Sequence, residues 1–456
     1  MSDLSKHSTT DAHPRPGHEP DGEVSTRADR LVGAVFLIAV LPLFVDAAQR
    51  TMPVFQLVTG FGEPDAAGSR LHLVLPLVAV LAVVGLLRRR PSLRRPLPVL
   101  VLLMVLGFTI SIAWGLSQGA GLVGLVFFVQ TIVPLVAWLA AYRVSPAPRT
   151  VARAVMVGVL VVVVIALGYT LLDGGIDNAY YSSIALEDPF PQYRAYFPAL
   201  VALAIALAVA HVRTDRVLSV ATIVGCLCLL PVMWSRAGIL MVVVAFVASI
   251  FFCHFRGLTW RRRVGVAVVT AVVLGAVGAA TVTVGLTEQR TRLNDLQASD
   301  SDRIALAEES SERIASNPFV GDAFRTHGSD LVGGAVANFD RLFPSHNQYL
   351  DFGIRGGLPA LLLLVAFLAL TSWLLFWRWI RSDPAEFNPF YGAVLAFLMA
   401  LIPAGLTELY ISQTWTGVAI MLVLGAAARQ LELDRLVVRS GDATAGVESY
   451  EPSGRS

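Results

Sequence analysis

The sequence has few charged residues. Only 15% of its 456 residues are Asp, Glu, Lys or Arg, whereas an ordinary soluble domain has roughly 25%. Hydrophobic residues make up 55% of the chain, and the mean hydropathy is +0.66. This composition indicates that lipid is the solvent for most of the chain. The net charge of only +2 also argues against a nucleic-acid partner.

Cysteine is scarce as well. The chain has three cysteines, Cys226, Cys228 and Cys253, and each lies within a strongly apolar stretch. Helical residues two positions apart point to different faces. Cys226 and Cys228 therefore predict neither a disulfide nor a zinc site, and we interpret all three cysteines as small apolar packing residues.

Long hydrophobic runs fill most of the remaining sequence. About 20 apolar residues in a helix cross the bilayer core, and a helix satisfies its own backbone hydrogen bonds where lipid offers none. We therefore predict an all-α, polytopic membrane protein with about twelve transmembrane helices. The predicted spans lie near 31–47, 71–87, 97–115, 120–142, 151–172, 195–211, 217–234, 237–254, 264–285, 356–377, 389–408 and 415–428.

The distribution of arginine predicts the orientation of these spans. Positively charged loops are retained on the cytoplasmic side of a membrane. If the N-terminus is cytoplasmic, the short inner loops contain sixteen arginines and the short outer loops contain four. This ratio predicts that both termini are cytoplasmic.

The spans divide the chain into five predicted regions. Residues 1–29 are polar and lack the basic start and cleavage site of a secretory signal, so we expect a disordered cytoplasmic tail. Residues 30–285 hold spans one to nine, and residues 286–345 form a large extracytoplasmic loop with short helices. Residues 346–428 hold spans ten to twelve, and residues 429–456 form a second disordered cytoplasmic tail.

The large loop contains one predicted helix, from about residue 300 to residue 316. Acidic residues lie in its predicted first turn, and Asn317-Pro318 is expected to end it. The helical spacing places four residues on one face: Ile304, Ala307, Ser311 and Ile314.

Several polar residues occur where a membrane makes them costly. A charge at membrane depth costs at least about 2.5 kcal/mol, so it needs a partner or a function. Arg236 lies between two predicted spans in MWSRAGIL, and Arg303 lies at the start of the predicted loop helix. A third group precedes span ten and includes His346, Asn347, Asp351 and Arg355.

Each of these residues also has a simpler interpretation. Arg236 alone is compatible with snorkelling to the interface, and Arg303 with a surface ion pair to a neighbouring aspartate. Asp351 and Arg355 have the i, i+4 spacing of a helix salt bridge. His346 and Asn347 are compatible with an N-terminal helix cap.

Together, these motifs resemble the O-antigen ligase and O-antigen polymerase family of bacterial membrane glycosyltransferases. Ser235-Arg236-Ala237-Gly238 resembles the serine-arginine turn of that family. Its loop signature is matched by Arg303, the predicted helix and Asn317-Pro318-Phe319. His346-Asn347, followed by Leu350 and Gly356-Gly357, resembles its histidine-asparagine motif. The span arrangement is similar over residues 31–428, although Gly321-Asp322-Ala323 stands where the family usually has glycine-x-glycine and the tryptophan often expected after the loop arginine is absent.

The resemblance implies an enzyme that transfers a glycan from a polyprenyl diphosphate to an acceptor hydroxyl. Arg236 and Arg303 are the candidates for binding the diphosphate, because guanidinium groups bind phosphate oxygens in pairs. Arg325 and Arg355 are secondary candidates for the same task. His346 is the candidate general base, with Asn347 as an orienting residue, and Glu408 is a further secondary candidate. A single displacement implies inversion at the anomeric carbon.

We predict no metal and no cofactor. Asp300-Ser301-Asp302 has the D-x-D pattern of metal-dependent glycosyltransferases, but it fits a helix start equally well. We favour the helix cap, because this segment is predicted to lie outside the membrane, where nucleotide sugars are normally absent.

The expected location is a bacterial cytoplasmic membrane, crossed several times, with the active site facing outward. The expected partners are a lipid-linked glycan donor, a glycan, lipid or protein acceptor, and membrane lipids. Two alternatives stay open at this point. A polysaccharide polymerase of the same family shares the donor and the chemistry, and a secondary transporter also suits twelve spans.

Overall fold

The computed structural model describes residues 27–40, 74–88, 95–119, 122–172, 193–230, 236–255, 293–322, 347–383, 387–412 and 414–448, with a few positions from 259 to 268. Within these residues the protein has twelve α-helices and no β-strand. The helices are α1 Arg27–Val40, α2 Val74–Arg88, α3 Pro96–Ser117, α4 Leu122–Val144, α5 Pro148–Leu172, α6 Tyr193–His211, α7 Arg216–Leu229, α8 Arg236–His254, α9 Leu293–Ser316, α10 Gln348–Arg381, α11 Pro389–Ala404 and α12 Thr414–Glu448.

The all-helical membrane architecture agrees with the composition of the chain. Every predicted span except the ninth overlaps one of these helices, and the ninth, 264–285, lies almost entirely outside the described residues. Four described helices are long and apolar enough to cross a membrane: Pro96–Ser117, Ala237–His254, Gln348–Arg381 and Thr416–Arg435. The total of twelve crossings stays a prediction.

Helix α3 shows how these helices meet both protein and lipid. Met104 and Phe108 are fully buried, whereas Leu106 and Ile110 are 53% and 52% exposed. A helix that is apolar on all faces is typical of a membrane span. The exposed leucine and isoleucine are therefore suited to face lipid, and the buried methionine and phenylalanine face the protein.

Helix α6 lies at the centre of the described bundle. All its residues from Phe197 to His211 are buried, and it packs against α5, α7, α8, α11 and α12. Alternating alanines let neighbouring helices approach closely, which is the usual basis of helix packing in membranes. Among the three cysteines, Cys226 is buried as predicted, Cys228 is exposed, and all three are free thiols.

Helix α12 continues beyond the predicted boundary at residue 428, through Glu448. Residues 429–448, predicted as part of a disordered cytoplasmic tail, are thus helical, residues 449–456 lie outside the described residues, and the cytoplasmic location stays a prediction. Glu432 accepts hydrogen bonds from Arg95 at 3.2 Å and from the Tyr142 hydroxyl. The carboxylate of Asp434 accepts a hydrogen bond of 2.8 Å from the Tyr391 hydroxyl. These bonds hold the extension against α3, α4 and α11.

Helix α9 starts earlier than predicted. It begins at Leu293 and ends at Ser316, where the sequence had placed its end. Residues 293–299 contain good helix formers and neither glycine nor proline, so nothing stops the helix before residue 300. Asp300 and Asp302 therefore lie inside the helix, and the prediction that they cap its start is wrong.

The buried side of α9 also differs from the predicted face. Ile314 is buried, as expected, but Ile304 is 63% exposed and Ser311 is exposed. The buried partner of Ile314 on this helix is Ser310, one turn earlier. Ser310 and Ile314 lie near the end of α9, and this helix packs against α10, where Ile314 contacts Ile354.

A cluster of three charges joins α5 to the turn between α6 and α7. Arg149 donates two hydrogen bonds of 3.1 Å to Asp215, and Arg153 binds the same carboxylate with Nε at 3.1 Å. These guanidinium groups, Arg153 first and then Arg149, lower the pKa of Asp215 below its ordinary value.

Replacing Asp215 by Asn is expected to destabilise the protein by roughly 1 kcal/mol at neutral pH, since both arginines are about half exposed and screened by solvent. A carboxylate with a lowered folded-state pKa adds stability above its unfolded pKa, and that stability disappears as the pH falls through the folded pKa. The unfolding temperatures of the natural protein and Asp215→Asn in detergent should therefore differ most above about pH 5. The difference should become smaller in acid. A difference that does not depend on pH would contradict this account, and Glu309→Gln, on an exposed residue, is the control.

Candidate active site

Helix α10 begins directly after residue 346 with an asparagine cap. Asn347 is in an extended conformation, with φ −131° and ψ 113°. Its side-chain oxygen accepts hydrogen bonds from the backbone N–H groups of Tyr349 at 2.9 Å and Leu350 at 3.2 Å. Such a cap satisfies N–H groups that have no partner within the helix. The capping interpretation is thus confirmed for Asn347, whereas His346 lies outside the described residues.

The first turn of α10 is fixed against the end of α11. The Gln348 N–H donates to the Gly405 carbonyl at 2.9 Å, and the Tyr349 hydroxyl donates to the Ile402 carbonyl at 2.6 Å. The buried Gln348 side chain lies directly over Gly405, where a Cβ atom would approach its Nε2 to 2.2 Å. Glu408 follows in the same connecting segment and is buried. A glycine at residue 405 therefore lets α10 and this segment approach closely.

A buried ion pair lies one turn further along α10. Asp351 is 0% and Arg355 is 4% exposed. The Arg355 Nε donates to Asp351 Oδ1 at 3.0 Å, and Nη1 of the same guanidinium donates to the Thr131 hydroxyl of α4 at 2.5 Å. The salt-bridge interpretation of this i, i+4 spacing is confirmed. The contact also ties α10 to α4, and sequence reasoning missed Thr131 because spacing shows only partners on the same helix.

Helix α10 is broken at Gly356 and Gly357. Their φ and ψ angles are −133°, 15° and 70°, −173°, and the second conformation is one that only glycine adopts readily. Pro359, which lacks an N–H group, follows two residues later. In a regular helix the Leu358 N–H would bond to the Ile354 carbonyl, so the break leaves both groups in need of other partners.

The turn that follows α9 supplies both partners. The Leu358 N–H donates to the Pro318 carbonyl at 2.7 Å, and the Ile354 carbonyl accepts from the Asp322 N–H at 2.8 Å. Residues 317–322, which we call the docking turn, therefore occupy the gap in the hydrogen bonding of α10. Ile314, at the end of α9, adds an apolar contact with Ile354.

Two further features hold the docking turn in shape. Arg313 donates hydrogen bonds to the Asp322 carboxylate from its Nε at 3.2 Å and its Nη2 at 3.0 Å. Gly321 has φ +66°, and a Cβ there would lie 2.2 Å from the Ile354 carbonyl oxygen. Asp322, which stands at the variable middle position of the glycine-x-glycine pattern, thus closes the turn onto α9. In the sequence, only Gly356-Gly357 and Asn317-Pro318 indicated the contact between the docking turn and α10.

Contacts at the end of the bundle away from the start of α10 show in which directions three helices run. The carbonyl of Phe252, near the end of α8, accepts from Trp379 Nε1, near the end of α10, at 3.0 Å. Cys253 lies 3.4 Å from the carbonyl of Pro389, the first residue of α11. The starts of α8 and α10 and the end of α11 therefore lie at the same end of the bundle. Arg236, the first residue of α8, is about 24 Å along the helix from Phe252.

The predicted site residues thus fall into two groups. Asn347, Arg355 and Glu408 are described with their side chains, and contacts through α10 and Gly405 bring their segments together. The structure describes only the backbone of Arg236, at the start of α8, and of Arg303, within α9. His346 and Arg325 lie outside the described residues. Within the described part of the chain, no group of three or more His, Cys, Asp or Glu residues is arranged to hold a metal ion.

Substituting alanine for Gly357 is expected to weaken the docking turn. The residue would carry a Cβ at φ +70°, 2.6 Å from the Pro318 carbonyl oxygen, and such backbone strain alone costs about 1–3 kcal/mol. The unfolding temperature should fall, and residues 317–322 should be cleaved faster by protease. The control is Gly107→Ala, because no atom lies within 4 Å of the added methyl group. Equal behaviour of the two variants would contradict the described contact.

The comparison with known protein families gives a match in this part of the chain. A sequence model of the family described as O-antigen ligase matches residues 221–365. The matched region runs from α7 to the middle of α10, so it contains the start of α8, the whole of α9, the docking turn and the break in α10. The chain matches no curated protein sequence.

Proposed function

We propose that this membrane protein, whose residues 221–365 match the O-antigen ligase family model, transfers a glycan from a polyprenyl diphosphate to an acceptor hydroxyl. The reaction takes place at the outer face of a bacterial cytoplasmic membrane. Both termini are cytoplasmic in this proposal, as the arginine distribution predicts. It needs no metal or cofactor.

The observation that supports the proposal is the arrangement of helices within the matched domain. The starts of α8 and α10 lie at one end of the bundle, and the docking turn joins α9 to α10. The backbone of Arg236 is at the start of α8, that of Arg303 is in α9, and His346 immediately precedes the cap of α10. These three segments are distant in sequence; α8 and α10 each pack against α11, and α9 packs against α10.

Arg236 and Arg303 bind the diphosphate of the donor in this proposal. When the bond between the anomeric carbon and the phosphate oxygen breaks, that oxygen keeps the electron pair and the diphosphate gains negative charge. Guanidinium groups keep their charge at any working pH and pair with phosphate oxygens. Fixed cations in a partly desolvated site stabilise this developing charge. Arg325 is the reserve candidate for the same role.

His346 acts as the general base. Its imidazole takes the proton of the acceptor hydroxyl as the hydroxyl oxygen attacks the anomeric carbon, which inverts its configuration. An ordinary histidine pKa near 6.5 leaves the ring mostly neutral at neutral pH, and proton transfer of this kind contributes about 10²–10⁴-fold. Asn347 holds the adjacent turn through its cap, and Glu408 is a secondary candidate for contact with the acceptor.

The expected effect of His346→Ala is a loss of kcat of about 10²–10⁴-fold, because the acceptor then lacks its base. Arg236→Ala should also abolish most transfer, whereas Arg213→Ala, an exposed arginine between α6 and α7, should not. The assay measures transfer from a purified lipid-linked glycan to acceptor. Full turnover by His346→Ala would refute the assignment of His346 as the general base. Full turnover by Arg236→Ala would refute the role of Arg236 in binding the diphosphate.

Deletion of the gene distinguishes a ligase from a polymerase. A strain that accumulates full-length lipid-linked chains without attaching them to an acceptor lacks a ligase. Accumulation of single lipid-linked repeat units instead identifies a polymerase. A strain with unchanged surface glycans and unchanged lipid-linked intermediates would contradict both forms of the proposal.

A further inference from the structure

The break in α10 separates its first two turns from the rest of the helix. Residues 348–355 precede Gly356 and Gly357, whose backbone angles are not helical. A continuous helix would fix the rotation of this short segment through the longer part of α10. Because the break interrupts the helical hydrogen bonds, the direction of residues 348–355 depends on contacts with neighbouring elements.

The Asp351–Arg355 pair supplies one such contact from a buried position. The guanidinium group bonds to Asp351 on its own helix and to Thr131 on α4. Asp351 and Arg355 are almost fully buried. Replacing a buried ion pair by apolar residues of similar volume is often neutral or stabilising, because removing two charges from water is costly. Overall stability is therefore a weak explanation for charges at these two positions.

A continuous set of bonds connects this pair to the proposed base. Thr131 accepts from Arg355, Arg355 donates to Asp351, and the Asp351 N–H donates to the Asn347 carbonyl at 2.9 Å. His346 is bonded covalently to Asn347. Resting on the function proposed above, we propose that Asp351, Arg355 and Thr131 are positioning residues that set the direction of the first turn of α10 and thereby align His346 with the substrates.

The surroundings of Arg355 favour this role over direct binding of the diphosphate. Its guanidinium group is buried and already holds two described partners. The docking turn also covers its backbone, since a Cβ on Gly321 would lie 2.9 Å from the Arg355 carbonyl carbon. A phosphate ligand needs donor groups that face the substrate, whereas a positioning residue needs fixed partners.

The test compares a neutral double variant with single variants. Asp351→Leu with Arg355→Met removes both charges together, so neither is left buried and unpaired. Arg355→Lys keeps the charge but loses the planar fork that reaches two partners. Thr131→Val changes only one hydroxyl group and keeps the ion pair, so it remains informative if the double variant fails to fold. The matched control is Arg378→Met with Asp434→Leu, which removes an ion pair at the other end of α10.

We expect the double variant to unfold at or above the temperature of the natural protein, but with kcat lower by about 10–100-fold and an unchanged KM for the lipid-linked donor. Arg355→Lys and Thr131→Val should lose kcat in the same direction, and the control pair should keep it. Two results would overturn the inference: wild-type kcat in both the double variant and Thr131→Val, or a raised donor KM with unchanged kcat in the single variant Arg355→Met. The absence of transfer by the natural protein itself would instead refute the proposed function.

Discussion

The described site depends on two backbone hydrogen bonds across the break in α10. Leu358 and Ile354 would bond to each other in an unbroken helix, but Pro318 and Asp322 of the docking turn take their places. Buried backbone groups almost always have partners, and lipid offers none. The docking turn is therefore part of the structure of α10, and helix α9 is held in place through it.

This arrangement explains why polar residues collect at one end of an apolar bundle. The cap by Asn347, the Asp351–Arg355 pair and the buried Glu408 all lie on segments around the first turns of α10 and the end of α11. Each charge placed in a membrane protein needs a partner or a function. The family match over residues 221–365 includes the part of this cluster on α10 and supports a glycan-transfer function for the protein.

The sequence predicted those features that depend on local spacing and composition. The membrane helices follow from long apolar runs, the end of α9 from Asn317-Pro318, and the Asp351–Arg355 pair from its i, i+4 spacing. The partnership of Arg355 with Thr131 joins residues more than two hundred positions apart, and no periodic pattern records it. The longer α9 and α12 were missed because a helix continues wherever neighbours or helix-forming residues support it, even where composition changes.

We expect two guanidinium groups and one imidazole to meet at a lipid-linked diphosphate. The most direct measurement is a cryo-electron microscopy structure of the protein in a lipid nanodisc with a polyprenyl diphosphate donor bound. In that structure, Arg236 and Arg303 should lie at about 3 Å from the phosphate oxygens, with His346 beside the anomeric carbon. A map that places His346 on the opposite membrane face from the two arginines, or the diphosphate away from both of them, would contradict this expectation.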